Sequence, residues 1–138
     1  NTQRFMFDEQ ISLATRFDLP LIIHSVQATE DVTDLLKSHS KSRGVIHAYS
    51  GSIQQAENLL KINFSFGFGN TLTNPQAYKL HDIVKFLPIE SIVIETDDHK
   101  NPDELIQVAE RVARIKKLTV DEVIDQCDQN TRNIFNID

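Results

Sequence analysis

The chain has 138 residues, with 14 Lys and Arg against 20 Asp and Glu and a formal charge of −6. A composition 40% hydrophobic and 25% charged is that of one folded domain, and it excludes a disordered or collagen-like chain. A single Cys rules out a disulfide framework and a Cys-rich zinc module and gives the expectation of a reducing, cytoplasmic compartment, while the acidic balance disfavours broad attraction to nucleic acid.

The first residues, Asn1-Thr2-Gln3-Arg4, carry no signal-peptide h-region. No Met opens the chain, so the natural polypeptide is expected to begin upstream. Phe7, Ile11, Ala14 and Phe17 then form a 3–4 spaced helical stripe. Four apolar, β-branched or aromatic runs read as buried strands: Leu21 to Ser25, Val45 to Tyr49, Phe64 to Phe68 and Ile92 to Glu95. None approaches the roughly 20 residues of a membrane span. Between them, Ser52 with Gln55 forms a capping box ahead of Ile53, Ala56, Leu59 and Leu60. Asn74-Pro75 and Asn101-Pro102 each read as N-cap and first helical residue. Leu105, Val108, Val112 and Ile115 mark a buried stripe after the second pair. Thr119 with Glu122 opens a short last helix through Cys127, a small buried hydrophobe, and a final turn holds Ile134 and Phe135.

Strands alternating with helices mean parallel crossovers and an α/β fold. A flavodoxin-like open sheet and a piece of a (β/α)8 barrel share this alternation. In both, chemistry gathers at the carboxyl ends of the strands. His24 closes the first strand, His47 the second, and Asp97 comes just after the fourth. A lone strand-end His is commonly a half-buried imidazole bonded to a carbonyl. Two imidazoles and a carboxylate at one end are a donor set suited to zinc, manganese and related divalent ions.

The segments carrying these residues have a familiar form. Leu19-Pro20-Leu21-Ile22-Ile23-His24-Ser25 resembles L-P-[VL]-I-I-H-S, and Gly44 to Gly51 resembles G-V-[IL]-H-x-[FY]-S-G. Phe64-Ser65-Phe66-Gly67, Glu95-Thr96-Asp97 and the closing Asn130 to Phe135, similar to N-x-x-x-[LI]-F, come next in order. Together they resemble the TatD family of metal-dependent hydrolases. The resemblance implies a TIM-like (β/α)8 barrel of which residues 1–138 form the C-terminal part, strands five to eight with their helices. It implies His24 and His47 as ligands of one metal and Asp97 as ligand of the other, with Asp97 also orienting or deprotonating the attacking water. The cofactors would be two divalent ions per full barrel, for which Mg, Mn and Zn all serve. The substrate would be DNA or another phosphodiester, making the protein a DNase-type hydrolase.

The family's strand-one H-x-H pair and strand-four Glu have no counterpart in the chain. Val26 stands where many relatives have Arg, and Asp98 to Pro102 replaces a longer loop. Lys100 and Arg43 are alternative phosphate contacts, with solvated surface charge as their simpler role. Glu95 is read either as a residue supporting a ligand or as a buried acid satisfied by backbone donors. His99 is a candidate contact to substrate or metal. Ser25 and Ser50 lack a nucleophile elbow and read as capping or turn residues. His39 and His81 read as surface positions, and Gly67-Phe68-Gly69 as a tight turn after its strand. The competing reading is a non-catalytic α/β binding module, or a half-barrel that needs a partner to close its exposed sheet edge.

Overall fold

A computed structural model of the chain describes residues 2–24, 29–39, 41–96 and 101–137. Among these, six α-helices, α1 (Thr2–Arg16), α2 (Thr29–Lys37), α3 (Ile53–Leu60), α4 (Tyr78–Phe86), α5 (Asp103–Lys116) and α6 (Val120–Phe135), alternate with four strands. The strands are β1 (Leu21–His24), β2 (Gly44–His47), β3 (Phe64–Phe68) and β4 (Ile92–Ile94). All pairings are parallel, in the order β1-β2-β3-β4. Three helices stop on a left-handed residue, Asp18, Lys117 or Asn136. In each, the next amide reaches back five residues to a helix carbonyl, at 2.7 Å for Leu19, 3.0 Å for Leu118 and 3.0 Å for Ile137. Both expected capping boxes form, at Ser52 with Gln55 and at Thr119 with Glu122.

The two faces of the sheet differ. One core cluster contains residues of all six helices, including Ile11, Leu36, Leu59, Ile83, Val112 and Val123. From the strands it takes Ile23, Ile46, Phe64, Phe66, Phe68 and Ile92, which the pleat and the register place on one face. The helices therefore lie on that side. The opposite face carries Ile22, Val45 and Ser65, and above them His24, His47, Gly67 and Val93, Gly67 being the register partner of Val93. None of these belongs to the helix-side cluster, and Ile22 on the edge strand β1 is 64% exposed. A doubly wound sheet reverses its strand order and covers both faces with helices. Among the described residues this sheet keeps its strand order and gathers the helices of the core cluster on one face.

Several local expectations fail for identifiable reasons. Asn74 and Pro75 do not start a helix: the Asn74 Oδ1 accepts from the Gln76 amide at 3.0 Å, an Asx turn, and α4 begins at Tyr78. Asn101 makes no side-chain cap on α5, whose N-cap is Pro102. The last helix continues to Phe135 in one piece, because Asn130 in its middle is buried and bonded to the main chain beside β4. Phe17, expected in the apolar stripe of α1, is 62% exposed. Cys127 is buried as expected.

Candidate metal centre

His24 and His47 are cross-strand partners at the last rung of β1 and β2. In-register neighbours of a parallel pair point to the same face, so both imidazoles stand on the helix-free side at the carboxyl end of the sheet. Their ring centroids are 4.5 Å apart, with the planes tilted by 48°. His24 is exposed and the His47 side chain is 20% exposed.

Glu95 comes directly after β4 and reaches back across β3 to His47. Its Oε2 lies 2.6 Å from His47 Nδ1, and its Oε1 accepts the Ala48 amide at 2.8 Å. Both readings of Glu95 thus meet in one carboxylate, which takes a ligand-capable imidazole and a backbone donor together. Ala48 presents its amide there because it is left-handed, with φ 51°, which bends β2 off the ladder immediately after His47. The Tyr49 amide then rejoins β3 through the Gly67 carbonyl at 3.0 Å. Tyr49 lies edge-on to Phe66 with centroids 5.0 Å apart, and its hydroxyl donates to the Ser52 carbonyl at 2.6 Å. A cavity of about 160 Å³ opens beside this corner, lined by Ser50, Asn70, Thr71, Leu80, Glu95 and Thr96 among others.

Asp97 and His99 lie outside the described residues, as do Ser25, Val26 and Lys100. Among the described residues no group of three or more His, Cys, Asp or Glu side chains is gathered to hold a metal ion. The two imidazoles are nonetheless donors of the type borderline divalent ions prefer, set side by side on one face. By donor type the pair fits such an ion.

Other candidates fall elsewhere. Arg43 precedes β2, at the opposite rim from His47, and its guanidinium pairs with Asp18 at 2.6 Å; a phosphate contact at the mouth is excluded by its place. His39 is not a free surface side chain, since it pairs with Asp8 at 2.7 Å and is 19% exposed. His81 is likewise half-buried, its Nε2 lying 3.0 Å from the Leu72 carbonyl. Ser50 is exposed on the rim of the cavity. Two features were missed by sequence reasoning, the left-handed Ala48 and the role of Gly67. A Cβ on Gly67 would overlap Glu95 Oε2. An isolated Gly inside a strand is a known sign of such close approach, and that signal was available.

A family model described as TatD related DNase matches residues 1–136. The uncharacterized metal-dependent hydrolase YjjV of Escherichia coli (strain K12) is 33% identical over 147 residues, covering 98% of this chain and 57% of its own. YabD of Bacillus subtilis (strain 168), also named an uncharacterized metal-dependent hydrolase, is 33% identical, with coverage of 98% and 58%. The human deoxyribonuclease TATDN3 is 30% identical, with coverage of 96% and 51%. The crystal structure of the Escherichia coli YJJV TatD homolog superposes with a TM-score of 0.90 at 31% identity, over 99% of this chain and 57% of that one. The chain thus spans a little over half the length of these relatives. By the extent of the family match and by its identity to these hydrolases, the chain belongs to the TatD related DNase family.

Proposed function

We propose that the chain is the C-terminal half of a TatD-type (β/α)8 barrel, strands five to eight, whose completed mouth hydrolyses phosphodiester bonds, in DNA first of all. The observation that carries this reading is the in-register pair His24 and His47 at the carboxyl ends of adjacent parallel strands. The unreversed strand order, the helix-free face and the exposed Ile22 support a wall that further strands continue. The naming of TATDN3 as a deoxyribonuclease supports the choice of substrate.

In this reading His24 and His47 hold one divalent ion and Asp97 the other. Bound metal supplies a water acidified to near neutral pH and positive charge against the phosphoryl oxygens. The chain's own residues do the rest. The sheet fixes the two imidazoles at one rung, Asp97 orients or deprotonates the attacking water, and His99 contacts substrate or metal. The acidic chain offers little general attraction to a polyanion, so recognition falls to the mouth itself.

The test is hydrolysis of DNA and of simple phosphodiesters by the complete polypeptide with Mg, Mn or Zn. His24→Ala and Asp97→Ala are each expected to abolish turnover while far-UV circular dichroism is unchanged. Unaltered turnover in both variants refutes the ligand assignment. Absence of divalent binding and turnover in the wild type favours the non-catalytic module.

A further inference from the structure

Gly67 sits in β3 between β2, which carries His47, and β4, which leads to Glu95. The Glu95 side chain must cross this strand to reach the imidazole, and it does so over the one position where β3 presents no side chain to that face. A Cβ at Gly67 would collide with Glu95 Oε2 and stand 2.9 Å from Cδ. No left-handed backbone angle occurs at Gly67, so what the glycine provides is space. The group that would have to move is the far end of a side chain and not backbone, so a substitution there displaces the carboxylate from His47 and Ala48 and leaves the sheet in place.

We propose that Glu95, lying in the notch of Gly67, is a positioning residue that locks His47 in the Nδ1–H tautomer and aims Nε2 at the mouth. An ionised carboxylate only accepts hydrogen bonds, so the 2.6 Å contact requires the proton on Nδ1. The second oxygen is held by the Ala48 amide, which prevents the carboxylate from rotating away. Two strands and a backbone amide therefore fix one imidazole ring, as outer partners of ligating histidines do. The inference rests on the reading of His47 as a ligand only for its consequence. The tautomer itself needs no metal.

The experiment measures the ¹⁵N resonances of the His47 ring in the metal-free full chain, with pH raised until they no longer change, so that the neutral ring is the one observed. Zn²⁺ affinity is then measured by titration. The wild type is expected to show a protonated Nδ1 and an unprotonated Nε2. Glu95→Gln keeps shape but offers one oxygen to two donors; Glu95→Asp keeps charge but loses reach; Gly67→Ala pushes the carboxylate aside. Each is expected to mix the two tautomers and to weaken Zn²⁺ binding by about 10- to 100-fold. Should Gly67→Ala fail to fold, the near-isosteric Glu95→Gln decides alone. A wild-type His47 protonated on Nε2, or a tautomer unchanged in Glu95→Gln, overturns the proposal. A wild type that binds no Zn²⁺ yet shows the expected tautomer, lost in Glu95→Gln, sinks the ligand reading and upholds the clamp.

Discussion

Asn130 offers the sharpest test of how the last helix is held to the sheet. It is 4% exposed in the middle of α6. Its Nδ2 donates to the carbonyls of Ile89 and Ile92, both at 2.8 Å, and its Oδ1 accepts from Gln126 at 2.9 Å. Asn130→Ala withdraws both donors. Each bond contributes about 0.5–1.5 kcal/mol net, and a buried carbonyl left without a donor costs about 1–3 kcal/mol. The Ile89 carbonyl keeps the Ile92 amide, so the heavier penalty falls on Ile92, which is fully buried. The expected total is about 2–4 kcal/mol. Unfolding entropy of about 2.1 cal/mol/K per residue over 138 residues is about 290 cal/mol/K, so the midpoint falls by about 7–14 °C. Equilibrium urea unfolding followed by circular dichroism reads the change directly, with an unaltered m-value showing that the folded state is intact. Asn130→Asp sets a carboxylate against two carbonyls and is expected to lose more at pH 7, recovering on acidification as a protonated acid regains one donor. A loss below about 0.5 kcal/mol in the Ala variant would refute the staple.

Thr119→Ala removes the oxygen that accepts the Glu122 amide at 3.1 Å and is expected to cost about 1 kcal/mol in the same assay. Burial pushes the Cys127 thiol from 9.0 up to about 11, so the folded chain keeps a proton that the unfolded chain releases. That contribution is complete below pH 9.0 and is lost as pH rises toward 11, by about 2–3 kcal/mol at most. Stability measured between pH 9 and 10 should therefore fall in the wild type and flatten in Cys127→Ala. Burial raises the Tyr49 hydroxyl above 10.0 as well, so both proteins decline further beyond that pH. Ala48→Gly relieves a left-handed Cβ that costs about 1 kcal/mol, and urea unfolding should show stability at or above wild type while the His47 ring resonances stay in place.

The strands were legible because their signal is local: a run such as Phe64 to Phe68 is apolar, flanked by breakers, and coincides with β3 residue for residue. Capping boxes were legible for the same reason, since Ser52 with Gln55 and Thr119 with Glu122 close their hydrogen bonds within four consecutive residues. Asn74-Pro75 misled because Asn serves an Asx turn as readily as an N-cap, and only the tertiary packing of the residues downstream decides between them. The choice between an open sheet and a barrel wall was illegible in periodicity, because strand order and the side taken by the helices are long-range facts. At the candidate site, the strand-end positions of His24 and His47 could be read from the pattern. Their adjacency depends on register, and the reach of Glu95 over Gly67 joins residues 28 positions apart. The fully buried side chains of β3 all point to the helix side, so nothing in its hydrophobicity marks Gly67 on the other.

The position of β1 at the rim of the sheet bears on how long the two imidazoles stay together. Its sole ladder partner within the described sheet is β2, whereas β4 is additionally pinned from behind by Asn130. Amide protons of β1 should accordingly exchange with solvent sooner than those of β2 and β3. With β1 paired on one side only, each such opening would carry His24 away from His47 without unfolding the remainder; a further strand laddered to β1, as the proposed barrel supplies, would lengthen the lifetime of the pair.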